Sequence, residues 1–295
     1  MSSPAPARSG GHIGRYEIRS KSGEGASGVV YRAYDPVMDR DVAIKLAKAS
    51  SLSEEELKQV VAEFYHEARI AGKFAHHSIV TIYDVVCDSA FNYIVMEYVA
   101  GRSVQDYMEA TGPLEVDEAL SITLKCCTAL EYIHYHGVIH RDIKPGNIMY
   151  HPAQGVVKLM DFSVAHKIEE PPRRDTGTIA YMAPEHFDPE RRITTRTDIF
   201  ALGSTLYRIL TGQYPFTSKH TAFQILHQDP VPLGELRAGI PAEVASIVGR
   251  AMAKADADRF ANASEFGAAV DNALRTLYPA TYAAQLSAVN RSLPG

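Results

Sequence analysis

The sequence predicts an α+β fold of two lobes: a small antiparallel β-sheet lobe with one main helix, then a larger, mainly helical lobe. Up to residue 98 the chain consists mostly of short β-type runs, interrupted by one amphipathic helical stretch. After Val99-Ala100-Gly101 the pattern becomes helical for most of the remaining length. The chain has 295 residues, which exceeds the common size of a single domain, so two lobes are the natural division.

The first lobe is predicted from its alternating apolar runs and one helix start signal. Ser53 followed by Glu56 forms a capping box, and apolar residues then recur at helical spacing as far as Ala71. The helix therefore begins after Ser53. The predicted strands occupy 15–22, 28–35, 41–46, 79–87 and 92–98.

The second lobe is predicted from amphipathic helical stretches. They occupy 103–110, 114–136, 197–211, 242–254 and 264–277. Between the second and third of them, short runs at 148–150 and 156–159 predict hairpins that carry polar motifs. We expect 1–13 to be a disordered leader and 14–277 to be the folded domain, with an N-lobe at 14–98, a hinge at 97–101 and a C-lobe at 102–277. The tail 278–295 either packs on the helical lobe or leads to a further region.

Composition limits the function classes. A net charge of -5 with no basic stretch argues against nucleic-acid binding. No apolar run is long enough for a membrane span, and the first residues lack the apolar block of a secretory signal. Three cysteines without Cys-x-x-Cys spacing indicate reduced thiols and a cytoplasmic location, and the histidine groups lack a second cluster of metal ligands.

The run from His140 to Asn147 is the most informative part of the sequence. It reads His-Arg-Asp-Ile-Lys-Pro-Gly-Asn and sets a carboxylate, an ammonium and an amide at fixed offsets on one short loop. Asp142 can orient the proton of an attacking hydroxyl, Lys144 can neutralise a transferring phosphoryl group, and Asn147 can bind a divalent cation. The loop therefore predicts phosphoryl transfer.

A glycine-rich hairpin and a lysine point to a bound nucleotide. The hairpin reads Gly23-Glu24-Gly25-Ala26-Ser27-Gly28 and continues as strand, which suits a flap over phosphates better than a dinucleotide fold. Lys45 follows in an apolar strand, and a buried ammonium needs an anion. Nucleotide phosphates and a glutamate of the capped helix, Glu67 or Glu63, are the candidate partners.

These motifs together resemble the protein kinase superfamily, in particular the eukaryotic-like Ser/Thr kinases of bacteria, over about residues 14–277. The resemblance implies transfer of the γ-phosphoryl group of ATP, with Mg²⁺ or Mn²⁺, to Ser or Thr hydroxyls of protein substrates, with autophosphorylation. Glu67, in a Phe-x-x-Glu-Ala stretch typical of such kinases, becomes the preferred partner of Lys45. The oligomeric state and the physiological substrate stay open.

The resemblance also assigns the adenine and metal contacts. Met96 is the expected gatekeeper, while Glu97 offers its carbonyl and Val99 its amide to adenine. Asp161 and Asn147 are the expected metal ligands. The remaining expected adenine contacts lie above and below the base and are Val30, Ala43 and Met149.

One departure from the family pattern concerns Asp161-Phe162-Ser163, where the family has Asp-Phe-Gly. Serine is less tolerant than glycine of positive φ, so we expect a flip of Asp161 out of the site to be disfavoured. The presence of Lys45, Glu67, Asp142, Asn147 and Asp161 favours an active enzyme. The alternative is a nucleotide-binding pseudokinase that acts as a scaffold or allosteric partner.

Further matches concern the acceptor and the architecture. Lys144 with Thr178 is the pattern of kinases that phosphorylate Ser or Thr, and Ala183-Pro184-Glu185 argues for a peptide substrate over a small molecule. By resemblance, Glu185 pairs with Arg259, and Asp198 braces the catalytic loop.

Arg141 places the chain among kinases in which an anion on the activation segment orders the loop. The usual position of a phosphothreonine reads Glu170-Pro171-Pro172-Arg173-Arg174 and contains no hydroxyl. Three hypotheses stay open: a permanent charge from Glu169, Glu170 or Asp175, phosphorylation of Thr176, or acidic residues that are only solvated.

Overall fold

The computed structural model of the protein describes residues 11–25, 28–47, 54–87, 92–168, 178–217 and 220–292. The chain divides into two compact units. The first comprises the residues up to 100 together with 161–163, and the second comprises 101–160 with the residues from 164 onward. The main division falls inside the predicted hinge 97–101.

The first unit is a β-sheet with one helix. In its sheet, neighbouring strands pair antiparallel in the order β1-β2-β3-β4-β6-β5. The predicted strands and helix are confirmed, with shifts of one to three residues at the ends. The elements are β1 His12–Ile13, β2 Tyr16–Gly25, β3 Gly28–Asp35, β4 Arg40–Ala47, α1 Glu54–Ala71, β5 Ile82–Cys87 and β6 Asn92–Glu97.

Strand register divides the side chains of this sheet between two faces. Opposite residues of antiparallel strands lie on the same face, and successive residues alternate. The face with Tyr31, Ile44 and Val95 forms a core cluster. The other face presents Lys45 and, against α1, Ile94, which packs in a second cluster with Ala47, Phe64 and Ala68. One face therefore stabilises the lobe, and the other is available for the site.

The predicted leader ends too late. His12 and Ile13 form β1 and pair with Glu17 and Tyr16 of β2, and Ile13 is 1% exposed within the core cluster. The expectation of disorder is therefore wrong for these two residues, because a single buried isoleucine next to a tight glycine turn was too short a signal for a strand. Residues 1–10 lie outside the described ranges.

The second unit is mainly helical and carries a three-stranded and a two-stranded sheet. The predicted helices and the hairpin at 148–159 are confirmed. The elements are β7 Arg102–Ser103, α2 Val104–Thr111, α3 Val116–Tyr135, β8 Val138–Ile139, β9 Ile148–His151, β10 Val156–Leu159, β11 His166–Lys167, α4 Thr195–Thr211, α5 Thr221–His227, α6 Leu233–Leu236, α7 Ala242–Ala251, α8 Ala263–Leu277 and α9 Pro279–Ser292.

Helix α4 lies in the core of this unit. Most of its residues are buried, including Phe200, Leu202 and Leu206. A helix that is buried on most of its sides must be surrounded by other elements, and α3 and α7 pack against it. No helix in the described part of the chain is both long and apolar enough to cross a membrane.

The sequence did not predict α5, α6 or α9. The first two are short, with seven and four residues, so no apolar period can develop. In the tail, α9 packs on the helical unit: Thr281 Oγ1 donates to Asp117 Oδ2 at 2.6 Å, and Gln285 contacts Ser121. Helix α9 therefore packs on the helical lobe, whereas the structure does not test whether the tail leads to a further region.

Candidate active site

Lys45 and Glu67 form a buried ion pair in the first unit. Lys45 Nζ lies 2.9 Å from Glu67 Oε1 and 2.7 Å from Oε2, and both side chains are 7% exposed. Burial raises the pKa of Glu67 to about 7, although the Lys45 ammonium opposes this. Burial alone would lower the pKa of Lys45, but the carboxylates of Glu67 and Asp161 outweigh it and raise the pKa. Among the described side chains Glu67 is the glutamate that pairs with Lys45, while the Glu63 side chain lies outside them.

Replacing Glu67 by glutamine tests this pairing. The amide keeps the shape but loses the charge, so Lys45 is no longer fixed by a salt bridge. We expect kcat/KM for ATP-dependent transfer to fall about 10- to 100-fold, the worth of a hydrogen bond to a charged group. Glu63→Gln is the matched control and should leave kcat/KM unchanged. An equal loss in both variants would contradict the assignment.

Three of the predicted adenine contacts, Val30, Ala43 and Met96, share the face of Lys45. Register places Val30 opposite Lys45, and Ala43 opposite Met96. Glu97 ends β6, and the backbone N–H of Glu97 donates to the Thr81 carbonyl at 2.9 Å. Val99 follows and is 7% exposed. In the second unit, Met149 lies on β9 opposite Ser103 and Lys158.

The glycine-rich segment is a tight hairpin. Gly25 ends β2 opposite Gly28, the first residue of β3, and Gly23 lies opposite Val30. A side chain at Gly28 would collide with the backbone oxygen of Leu46, and its φ of 151° is one that other residues rarely adopt. Ala26 and Ser27, at the tip, lie outside the described residues.

Asp161 and its neighbours belong to the first unit. Asp161 Oδ1 lies 3.4 Å from Lys45 Nζ, and the Phe162 ring packs against Phe74 with 5.5 Å between centroids. The positive φ of this tripeptide falls on Asp161, at 56°, and not on Ser163. Ser163 thus carries no left-handed strain, and its backbone N–H donates to Asp161 Oδ1 at 3.2 Å.

Replacing Ser163 by glycine introduces the residue that the family has at this position, and it should not increase activity. We expect the transfer rate to stay the same. The free energy of unfolding should fall by about 0.4 to 1 kcal/mol, because glycine gains freedom in the unfolded chain. Steady-state kinetics and urea unfolding measure the two effects. A large gain in rate would show that serine impairs the site.

The catalytic loop of the second unit brings four predicted residues together. Asp142 Oδ2 accepts from Asn147 Nδ2 at 2.8 Å and lies 2.6 Å from Lys144 Nζ. Asp142 Oδ1 accepts from the backbone N–H of Thr178 at 3.1 Å, and Lys144 Nζ donates to Thr178 Oγ1 at 2.6 Å. The carboxylate is thus held in place by donors on both oxygens.

Asp198 anchors the backbone of the catalytic loop. Its carboxylate accepts from the backbone N–H groups of His140 and Arg141, both at 2.8 Å, and contacts His134 Nε2 at 2.7 Å. Burial would raise the pKa of Asp198, but these hydrogen bonds outweigh it and lower the pKa. Arg141 has a φ of 69°, a conformation that costs about 1 to 2 kcal/mol in a non-glycine residue. The bracing role predicted for Asp198 is confirmed, whereas His134 was missed, since its helical position gives no sign of this contact.

Glu185 and Arg259 form the predicted ion pair. Arg259 Nη1 and Nη2 donate to Glu185 Oε1 and Oε2 at 2.8 and 2.9 Å, and both residues are 2% exposed. Burial would raise the pKa of Glu185, but the Arg259 hydrogen bond and charge outweigh it and lower the pKa. Thr197 Oγ1 also donates to Glu185 at 2.8 Å, a partner that the sequence did not reveal.

The residues predicted to hold the metal ion suit a hard cation. Asp161 offers a carboxylate, and Asn147 offers an amide oxygen because its Nδ2 donates to the Asp142 carbonyl and carboxylate. Within the described ranges no three His, Cys, Asp or Glu residues group to hold a metal. Carboxylate and amide oxygens are ligands of the kind that a divalent metal ion prefers.

The activation segment is described only in part. Arg141 is 4% exposed, and Thr178 lies at the catalytic loop as described above. Glu169, Glu170, Asp175 and Thr176 lie outside the described residues, so the three hypotheses for the partner of Arg141 stay predictions.

Comparison with known proteins decides the family. The family model described as "Protein kinase domain" matches residues 16–261. The chain belongs to the protein kinase family. Members of this family use ATP and a divalent metal ion, in agreement with the lysine, aspartate and asparagine side chains of the two units.

Relatives of this kinase domain include serine/threonine-protein kinases of bacteria. It is 34% identical over 258 residues to a probable serine/threonine-protein kinase of Clostridium acetobutylicum, covering 85% of this chain and 38% of the relative. It is 34% identical over 267 residues to the serine/threonine-protein kinase PknB of Mycobacterium tuberculosis, covering 86% and 42%. A probable PknB of Bifidobacterium longum is 35% identical over 284 residues, covering 90% and 40%. The chain thus spans about two fifths of the length of these relatives.

Proposed function

We propose that this kinase domain transfers the γ-phosphoryl group of ATP to Ser or Thr hydroxyls of protein substrates, with Mg²⁺ as the metal ion. The network that joins Asp142, Lys144 and Thr178 carries the proposal. In it the Lys144 ammonium lies within hydrogen-bond distance of both the Asp142 carboxylate and the Thr178 hydroxyl, and the carboxylate also accepts from the Thr178 backbone N–H. The names of the relatives support the same acceptor class.

The residues of the second unit account for the chemistry at the acceptor. Asp142 accepts the hydrogen bond of the substrate hydroxyl and orients it for attack, and Lys144 neutralises charge on the transferring phosphoryl group. Asn147 holds Asp142 through its amide nitrogen and offers its oxygen to the metal ion. When bound, the metal ion neutralises phosphate charge.

The residues of the first unit account for nucleotide binding. Lys45, fixed by Glu67, faces the phosphates, and Asp161 supplies a carboxylate ligand for the metal ion. Val30, Ala43 and Met96 contact the adenine, whose edge bonds the Glu97 carbonyl and the Val99 amide. The glycine hairpin covers the phosphates.

The pseudokinase alternative is not favoured. It is motivated by Ser163 and by the unusual activation segment. Ser163 carries no backbone strain, and residues 169–177 of the activation segment lie outside the described residues. The side chains that a pseudokinase typically lacks are present, and Lys45 is paired with Glu67. The relatives are named as kinases, which supports the proposal that this domain is an active enzyme.

Incubation with labelled ATP, Mg²⁺ and a generic basic protein tests the proposal. We expect label on serine and threonine of the substrate and on the kinase itself. Replacing Mg²⁺ by Mn²⁺ ranks the two ions, and omission of both is the control. Binding of ATP without any transfer would reject the proposal in favour of the pseudokinase.

Thr176→Ala tests the activation hypothesis. If a phosphate on Thr176 pairs with Arg141, mass spectrometry of active protein will show a phosphothreonine, and the variant will lose most of its activity. If Glu169, Glu170 or Asp175 supplies the charge, activity will be unchanged. Unchanged activity together with an unmodified Thr176 rejects the phosphothreonine switch.

A cytoplasmic setting is also proposed. Cys126 and Cys127 are free and buried, and burial raises the pKa of Cys126 to about 12. Buried thiols of this kind are unreactive and stay reduced, as is usual for proteins of the cytosol.

A further inference from the structure

A polar cavity lies within the first unit, at the end of the β3–β4 hairpin. Its volume is about 480 Å³, within the range of small-ligand sites. Tyr34 and Asp41 are opposite each other on β3 and β4, two residues beyond Arg32 and Ala43. None of the lining residues takes part in the proposed transfer. They are Arg19, Arg32, Tyr34, Asp39, Arg40 and Asp41.

Each of the three arginines in this cavity is held by an aromatic ring. The guanidinium carbon of Arg40 lies 3.6 Å from the ring centroid of Tyr83. That of Arg32 lies 4.8 Å from Tyr98, and that of Arg19 lies 4.9 Å from Tyr34. Stacking fixes the planes of the guanidinium groups, so less rotational freedom is lost when they bind an anion.

These arginines retain hydrogen-bonding capacity. The Nε atoms of Arg32 and Arg40 are buried and have no acceptor among the described residues. Arg32 donates through Nη2 to Asp41 Oδ2 at 2.6 Å and also bonds the Tyr98 hydroxyl, so these contacts leave part of its five-donor capacity unused. A buried donor without an acceptor is unfavourable, and a bound oxyanion would remove this cost. We propose that this cavity binds a phosphorylated side chain of a peptide.

The charges around the cavity favour a peptide over a membrane. Arg19 faces Glu17 at 3.6 Å, Arg32 faces Asp41, and Asp39 accepts from the Tyr34 hydroxyl at 2.6 Å. Arginines and carboxylates are therefore nearly balanced, and the whole chain is acidic. Anionic bilayers attract polybasic surfaces, which this is not. A phosphate seated between the arginines, with amide or basic groups beside the carboxylates, satisfies both sets of charges.

Fluorescence anisotropy with a short labelled peptide tests the proposal. The peptide carries one phosphothreonine flanked by lysine, and binding is measured without ATP, so the result does not depend on transfer. We expect saturable binding that weakens about 10- to 100-fold in Arg40→Gln and for the unphosphorylated peptide, as for loss of a charged hydrogen bond. Arg69→Gln, an exposed arginine of the same unit, is the matched control and should bind normally.

Further binding measurements distinguish a phosphorylated peptide from free phosphate and from a lipid headgroup. Inorganic phosphate should compete only weakly, and vesicles containing phosphatidylserine should not bind. Asp142→Asn should bind as the unchanged protein does, which excludes product binding at the catalytic loop. Equal binding of the phosphorylated and unphosphorylated peptides, normal binding by a folded Arg40→Gln variant, or binding of vesicles in place of the peptide would overturn the proposal.

Discussion

Replacing Asp142 by asparagine is expected to lower the rate of phosphoryl transfer by about 10² to 10⁴-fold, the range for loss of a general base. The carboxylate is fixed by the Asn147 amide, the Lys144 ammonium and the Thr178 backbone N–H. An asparagine of the same size keeps the position but cannot take the hydroxyl proton. The rate is measured with saturating ATP and a protein substrate.

The controls for Asp142→Asn separate chemistry from binding and folding. ATP affinity should change little, because Asp142 is not among the nucleotide contacts. Asp188→Asn removes a carboxylate of the same unit from a partly exposed ion pair with Arg191, and it should leave the rate unchanged. If Asp142→Asn transfers phosphate as fast as the unchanged protein, the proposed mechanism is wrong.

Replacing Arg259 by methionine is expected to lower the free energy of unfolding by about 3 to 5 kcal/mol, since it leaves a buried carboxylate without its partner. Glu185 accepts from both terminal nitrogens of Arg259 and also from the neutral Thr197 hydroxyl. Urea unfolding followed by circular dichroism measures the change.

Arg250→Met provides the comparison for this pair. Arg250 forms an ion pair with Glu265 at 2.6 Å, but the two side chains are 47% and 39% exposed. Solvent screens such a pair, so its loss should cost below about 1 kcal/mol. If Arg259→Met costs no more than Arg250→Met, burial of the pair does not determine its contribution. Glu185→Gln in the Arg259→Met background should recover part of the loss, because the amide carries no charge.

The fold was predictable where a long pattern repeats. The strands of the first unit and the helices α3, α4 and α8 alternate or repeat over enough residues to show their period. The short helices α5 and α6 do not, and the two-residue strand β7 gave no signal separate from α2, whose N-cap is Ser103. Ile13 was missed for the same reason: one buried residue makes no period.

The candidate site was predictable to the extent that its residues form local motifs. Lys144 and Asn147 lie within five residues of Asp142, so the loop predicts its own chemistry. The partner of Lys45 is 22 positions away, and the residues alone did not distinguish Glu67 from Glu63; the resemblance to a family was needed. His134 and Thr197 act through contacts formed only on folding. The positive φ angles of Arg141 and Asp161 likewise could not be predicted, because neither residue type indicates a left-handed conformation.

The division of the first sheet into two faces has an evolutionary and practical consequence. Tyr31 and Ile44 stabilise the lobe, whereas their neighbours Val30, Ala43 and Lys45 lie on the opposite face. Random substitution along β3 and β4 should thus yield two classes of defect that alternate with every residue: reduced abundance of folded protein and impaired use of ATP. Selection on affinity can proceed at the second set of positions with little effect on folding, so resistance to a nucleotide-competitive inhibitor can arise there by single substitutions.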